Sequence, residues 1–412
     1  MTPEQIRDLG PALSRFLAQF LFCCGDTRTF EHLGTYCRGL LSDLARKSVE
    51  PIALAAGVAV RTLQEFVRDH VWDHGQVRSL LQQHVAAELA GQPADDLGTV
   101  GIFDESSTAK KGTKTPGVQR QWCGATGKKD NCIVTVHLGV ARGRYKTLVD
   151  ADLFLPESWS DDRERCRQAG IPGDVVYRPK WRIALEQLER ATARGIQLDW
   201  LTFDEYYGSK TGLLEDLDGR AGLYYVGEVP RSFSCVTAQP RGWRPTLRCW
   251  GQRADKLVRF DPRFREQAWQ RVRLTRQTLE SQEWEVKAAP VYVARDRHLT
   301  ARTYWLIVAR NVASDEVKYF VANAPADTPL DKLLRVAFRR WNIEHGIRVC
   351  KSELGFGHYE GRHYQGLQRH LILCVFTMIF IAGQTERLRG EKSRSYPGAG
   401  LSSFEHQLLG VA

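Results

Sequence analysis

Three acidic positions have the residue type and setting for metal-dependent chemistry on a phosphate ester. Asp104 follows the apolar run Ile102-Phe103, Asp204 follows Thr202-Phe203, and Glu344 sits in Arg340-Trp341-Asn342-Ile343-Glu344, a helical stretch that continues to Lys351. Carboxylate oxygens are hard donors that suit Mg2+ or Mn2+ better than zinc, and such a trio most often holds divalent metals for phosphoryl transfer. Any one of these acids alone reads as a surface charge or a helix cap. Two aspartates behind apolar runs, however, are costly to bury without a metal or a charged partner. The three span 240 residues (344 − 104) and form one site only if the fold gathers them.

Other carboxylates compete for the role. Glu105 and Glu205 directly follow the two aspartates and would point elsewhere if the strand continued. Asp150 and Asp152 lie in a further strand-like run and read as structural, while Glu353 and Glu360 come after Lys351, Glu360 being the stronger rival of Glu344. Arg340 stands one helical turn before Glu344, and its planar fork can hold a phosphate through two hydrogen bonds. Lys351 lies two turns beyond Glu344. Lys110 and Lys111 form a basic loop after the first aspartate, and Lys128 and Lys129 form another. Contacts from such loops to phosphates give affinity and register without sequence information, although surface solubility is the default role of a lysine.

The elements that must position these groups fall into blocks. Residues 1–92 have apolar spacing of three and four, as in Leu13-Ser14-Arg15-Phe16-Leu17, and read as an all-α domain. Within it, Pro51 to Val67 has the form of helix, glycine turn at Gly57 and second helix. Arg61, Thr62 and Gln64 would open that second helix, where a groove-reading helix presents its side chains; an ordinary helical hairpin fits the same residues. Gly91-Gln92-Pro93-Ala94-Asp95-Asp96 reads as a linker. Strand-like runs then follow at Leu97 to Phe103, Cys132 to Val140 and Tyr145 to Leu155, before a helix over Pro179 to Arg194 and a strand over Leu198 to Phe203.

That order is the order of an RNase H-like α/β core with a mixed sheet, in which the first and fourth of these strands are neighbours. The core is expected over 97–228 and again over 326–388, split by a β-rich insertion at 229–325 and followed by a loosely held tail at 389–412. Helices are expected over Leu330 to Lys351 and Leu367 to Arg387.

With 412 residues, 43% hydrophobic and 26% charged, the chain is long enough for a folded soluble protein with more than one domain. Its net charge of +10 favours a polyanionic partner. The ten cysteines form no CxxC pair and read as reduced thiols of a cytosolic protein, and no basic-then-apolar leader opens the sequence. The most apolar run, Leu371 to Ala382, is shorter than the roughly 20 residues a bilayer span needs and is expected to be a buried helix. His345, His358, His363 and His370 suit nucleic-acid contact or packing better than zinc. No functional tryptophan is assigned among Trp243, Trp250, Trp269 and Trp284, for which core packing is the commoner role.

At these residues the chain resembles the DDE transposases of bacterial insertion sequences, in the cut-and-paste branch whose β-rich insertion separates the second aspartate from the glutamate. Arg340, Glu344 and Lys351 fit that branch's signature of tyrosine, two residues, arginine, three residues, glutamate, six residues, lysine, with Ala337 at the tyrosine position. The segments Asp104 to Gly112, Gln121-Trp122-Cys123-Gly124, Gly127 to Cys132 and Asp204-Glu205-Tyr206-Tyr207-Gly208 look like the same family.

The resemblance implies cleavage and strand transfer at the inverted-repeat ends of an insertion sequence, with Asp104, Asp204 and Glu344 as catalytic metal ligands. It also implies two Mg2+ ions, replaceable by Mn2+ and roughly 3.5–4 Å apart. The partners implied are double-stranded DNA, both repeat ends and target, and a second copy of the chain in the active complex. A bacterial cytoplasmic, nucleoid-associated location is expected, with no membrane. The alternatives from the residues alone are a nuclease of the same fold that never joins strands and a domesticated DNA-binding protein without catalysis.

Overall fold

A computed structural model of the chain describes residues 3–93, 95–275 and 281–393. Helices α1 (Pro3–Ala18), α2 (Thr27–Leu41), α3 (Val49–Ala55), α4 (Val60–Arg68) and α5 (His74–Gly91) precede the first strand. Strands β1 (Thr99–Ala109), β2 (Gln119–Cys123), β3 (Lys128–Arg142) and β4 (Tyr145–Leu153) follow, then α6 (Glu157–Ser160), α7 (Arg163–Gln168) and α8 (Lys180–Ala193). Next come β5 (Trp200–Phe203), α9 (Glu205–Gly208), α10 (Thr211–Asp218), β6 (Tyr224–Val229), β7 (Ser234–Val236) and β8 (Gln252–Arg253). Helices α11 (Ala254–Phe260) and α12 (Pro262–Arg265) lead to β9 (Gln270–Thr275), β10 (Ser281–Arg295), β11 (His298–Leu299), β12 (Tyr304–Asn311) and β13 (Val317–Ala322). Helices α13 (Leu330–Phe338), α14 (Arg340–Ser352) and α15 (Tyr364–Ser393) close the described chain.

The expected class, a helical start before a mixed α/β sheet, is the observed one. Four details differ. Strand β1 does not stop at Phe103 but runs to Ala109, so Asp104 lies inside a strand rather than at its end. Strand β2 has no counterpart in the expected strands, because Gln119-Arg120-Gln121-Trp122-Cys123 carries too few apolar residues to announce itself. The helix expected over 330–351 is two helices that part at Arg339, and the stretch expected to be β-rich contains α11 and α12. The expected tail lies outside the described residues from 394 onward, as does Ala94 of the expected linker.

The chain divides into two units, each of which is discontinuous in sequence. The first contains the residues up to 93, 104–197 and those from 342 on; the second contains 94–103 and 198–341. In the first, β2, β3 and β1 lie in that order, and β4 pairs with β3 antiparallel from Thr135↔Leu153 to Arg142↔Tyr145, with a register shift at Leu138/Gly139.

Helix α15 is the spine of the first unit. Its apolar window is long enough for a membrane but is 94% buried within the protein, and Leu371 to Ala382 are all buried, as expected of a core helix. The Phe376 ring packs at 4.7 Å from Phe16 and 4.9 Å from Phe20. Arg369, fully buried, donates to the carbonyls of Phe66, Val67, His70 and Trp72, so its charge meets the carbonyl-rich C-terminal end of α4. The α3–α4 turn passes through Gly57 at φ +66°, where a glycine carries no Cβ penalty. Helices α2 and α5 open with aspartate caps, Asp26 on the Thr29 amide (2.7 Å) and Asp73 on the Gln76 amide (2.9 Å).

In the second unit β5 lies between β1 and β6, parallel to both. The order then runs through β13, β12 and β10, joined antiparallel. A core of Cys235, Ala254, Leu257, Phe264, Ala289, Val291, Leu306 and Val308 underlies β10 and β12.

Candidate active site

Strand β1, which contains Asp104, and strand β5, which Asp204 follows, are parallel neighbours in matching register, Val100↔Trp200, Gly101↔Leu201 and Ile102↔Thr202, as the expected neighbouring of first and fourth strands required. Phe103 and Phe203 continue the match, their rings stacked with centroids 6.5 Å apart. Asp104 and Asp204 are each the next residue along.

Asp204 caps α9, its Oδ1 accepting from the Tyr207 amide at 3.2 Å. The short segment Asp204 to Gly208 is fixed by two close approaches. Tyr207 is buried with its ring 5.9 Å from Phe103, and a Cβ on Gly208 would lie 1.9 Å from the Glu228 carbonyl oxygen, so only glycine permits α9 to lie against β6.

Asp104 is 8% exposed, and its Oδ1 accepts from the Glu105 amide at 2.8 Å. Lys351 of α14 is close enough to feel it. Burial pushes the Lys351 ammonium below the usual lysine range, and the Asp104 charge counters part of that shift. Glu105 is engaged elsewhere, in an ion pair with Lys180 at 2.5 Å.

Glu344 is exposed on α14 and lines an open depression with Ile347, Arg348, Lys351 and Ser352. Arg340, Glu344 and Lys351 share this helix at spacings of four and seven, which put all three on one face. Arg340 opens the helix, 3.8 Å from Glu228. Ala337, at the signature's tyrosine position, is buried and accepts from the Thr202 hydroxyl at 3.2 Å.

Of the competing acids, Asp150 and Asp152 are buried in a network with Arg78 and Arg190, and Gln82 and Gln187 donate to them at 3.0 and 3.3 Å. They are structural, as the sequence suggested. Glu360 pairs with Arg46. Among the described residues no group of three or more His, Cys, Asp or Glu side chains stands together as a ready-made metal cluster.

The basic positions separate. Lys110 donates to the carbonyls of Gly357 (3.2 Å) and Tyr359 (2.6 Å), and burial lowers its pKa to about 8, so it ties a loop down rather than standing in an open basic loop. Lys111, Lys128 and Lys129 are exposed, the last two being the opening residues of β3 rather than members of a loop. On α4, Arg61 and Gln64 are exposed and Thr62 half-buried; Arg61 pairs with Glu65 at 2.7 Å. The late histidines are largely structural. His358 accepts from the Lys47 amide at 3.0 Å and His370 lies 2.9 Å from the Tyr36 hydroxyl, whereas His345 pairs with Arg348. Arg120 carried no sequence signal beyond its alternation with Gln119 and Gln121, and Trp122 figured only in the family-like segment Gln121-Trp122-Cys123-Gly124; both are exposed on β2.

Residues 19–290 match the DDE superfamily endonuclease family, a stretch that includes Asp104 and Asp204 and ends before Glu344. The chain belongs to the DDE superfamily of endonucleases, and its enzymatic class is that of a DNA-cleaving transposase. It is 27% identical over 376 residues to the probable transposase for insertion sequence element IS701 of Microchaete diplosiphon, covering 90% of this chain and 88% of that one. It is also similar to piggyBac transposase in a synaptic complex with hairpin DNA, at a TM-score of 0.46 and 8% identity over 93% of this chain and 70% of that one.

Proposed function

We propose that this transposase cuts DNA at the inverted-repeat ends of an insertion sequence and joins the freed 3′ ends to target DNA, with Asp104, Asp204 and Glu344 as its catalytic carboxylates. The observation that carries the reading is the parallel register of β1 and β5, which gives the two aspartates the same step after stacked phenylalanines.

The three side chains offer only carboxylate oxygens, a donor set that fits Mg2+, with Mn2+ as substitute, and they are the residues that would hold the ions. When bound, two such ions supply an acidified water and compensate charge on the attacked phosphate and the leaving oxygen. The chain's own residues do the rest. Lys351 balances the charge of buried Asp104, and Arg340 offers a planar fork to a phosphate on the same helix face as Glu344. Exposed Lys111, Lys128 and Lys129 contact the DNA backbone, whereas Lys110 orders the loop beside them.

Helix α4 presents Arg61, Thr62 and Gln64 to the repeat from the helical domain at 1–92, ahead of a catalytic core at 97–228 and 326–388 and an insertion at 229–325. Pairing of two ends requires at least two copies of the chain in the active complex, in the bacterial cytoplasm at the nucleoid.

The test is incubation with labelled DNA bearing the repeats that flank the reading frame, a target plasmid and Mg2+. Joined product supports the proposal; cleavage without joining marks a nuclease, and binding alone marks a non-catalytic DNA-binding protein.

A further inference from the structure

The β2–β3 hairpin carries a surface that the metal-ligand reading does not use. Its register pairs Arg120↔Asn131, Gln121↔Asp130 and Trp122↔Lys129. Because neighbouring side chains on a strand point to opposite faces, Arg120, Trp122, Lys129 and Asn131 share one face while Gln121, Cys123 and Asp130 share the other. Cys123 is buried, which makes the first face the outer one; there Trp122 is 61% exposed. An indole so exposed on an edge strand is an aggregation liability unless something covers it.

Three features say what covers it. The exposed cations Arg120 and Lys129 flank the ring on its own face, and the acid of the hairpin, Asp130, is on the other. Asn131 donates to the carbonyls of Lys110 (2.6 Å) and Gly112 (2.9 Å), which brings the loop with exposed Lys111 and Lys114 to the same face. The hairpin is also fixed in advance. The Ala125 amide donates to Ser107 Oγ at 3.3 Å, three residues past Asp104 on β1, and the turn closes through the Gly127 amide on the Cys123 carbonyl at 2.9 Å. A second copy of this +10 chain would bring like charge to a cationic face, whereas a phosphate backbone complements it.

We propose that Trp122 is a stacking platform for an unpaired base of the DNA being processed, with Arg120 and Lys129 gripping the phosphates on either side of that nucleotide. The inference rests on the DNA-cleaving reading above and adds to it a preference for DNA with a single-stranded or frayed end. Stacking on an exposed aromatic tolerates any base because every base offers a π-face, and cations beside the ring follow the backbone.

The experiment compares the full chain with its Trp122→Ala, Trp122→Phe and Lys129→Ala variants for binding to labelled oligo-dT and to a blunt duplex of equal length at fixed salt. Trp122→Ala is expected to lose about 5- to 150-fold in oligo-dT affinity, the range of one base stack, with duplex affinity little changed. Trp122→Phe restores most of the loss, and Lys129→Ala weakens both ligands and flattens the salt dependence. Equal oligo-dT affinity of wild type and Trp122→Ala, or a change of oligomeric state in Trp122→Ala, overturns the inference. Failure of the wild type to cleave repeat-bearing DNA is a separate result, which overturns the reading beneath it.

Discussion

Ile343 of α14 is seated against the bare Cα of Gly139 in β3: a Cβ there would stand 2.1 Å from Ile343 Cδ1 and 2.4 Å from Cγ1. Gly139 lies at the register shift between β3 and β4, and Ile343 directly precedes Glu344. This contact sets how closely the helix bearing Glu344 approaches the sheet of the first unit.

Gly139→Ala therefore forces α14 outward. Overpacking of this kind costs about 1–3 kcal/mol, and the expected result is a lower melting temperature with a larger loss of cleavage than of DNA binding. Trimming the partner relieves the clash, so the double variant Gly139→Ala/Ile343→Ala should be more stable and more active than the sum of the single losses. Additive losses in a double-mutant cycle would show that the contact does not position α14.

Arg369 predicts a second effect, on folding rather than chemistry. Its guanidinium supplies donors to two carbonyls at the end of α4, Phe66 and Val67, and to two in the segment that follows, His70 and Trp72, and lies over Trp72 at 4.6 Å. Arg369→Met fills similar volume but leaves buried acceptors without donors, at about 1–3 kcal/mol for each group that water cannot reach. Thermal unfolding followed by circular dichroism should show a drop of many degrees, with Arg369→Lys intermediate. Wild-type stability in Arg369→Met would contradict this.

Acid should weaken the first unit through two fully buried histidines, His137 and His370, and the half-buried His74. Burial lowers His137 to about 3 and His74 and His370 to about 4. His370 must carry its proton on Nε2, because it faces the Gly355 carbonyl at 3.1 Å, and Nδ1 then accepts from the Tyr36 hydroxyl. The folded-state values lie below the ordinary value of about 6.5, so between these limits the unfolded chain binds more protons than the folded one. Stability is fully present above about pH 6.5 and declines as pH falls towards 4. The slope of melting temperature against pH over this window should be shallower in His370→Gln, which keeps a donor for Gly355 without a titrating ring; an unchanged slope would argue against His370 as a contributor.

How far the sequence disclosed this arrangement depended on the length scale of each signal. Strands Cys132 to Val140 and Leu198 to Phe203 were legible because both runs are rich in β-branched, aromatic and other apolar residues and carry few charges, and the parallel pairing of β1 with β5 followed from the order of elements. The extension of β1 past Phe103 was not legible, since Asp104-Glu105-Ser106-Ser107 is polar; partners such as Lys180 for Glu105 and the Ala125 amide for Ser107 come from residues remote in sequence. The break at Arg339 was hidden for a similar reason. No glycine or proline marks it, and the chain turns there while Phe338 packs on Trp284 at 4.8 Å and on Trp341 at 4.4 Å. Lys110 looked like an open cation because the carbonyls that hold it lie nearly 250 residues away, at Gly357 and Tyr359.

The proposed site requires Asp104, Asp204 and Glu344 to act together in cutting DNA. Its most direct measurement is cleavage of repeat-bearing DNA in Mg2+ by Asp104→Asn, Asp204→Asn and Glu344→Gln, each matched to wild type in melting temperature and DNA affinity. Loss of one metal-binding carboxylate removes several kcal/mol of transition-state stabilisation, so each variant should cleave at least about 100-fold more slowly while binding DNA normally. Near-wild-type cleavage by Asp204→Asn would show that the three carboxylates do not act as one site.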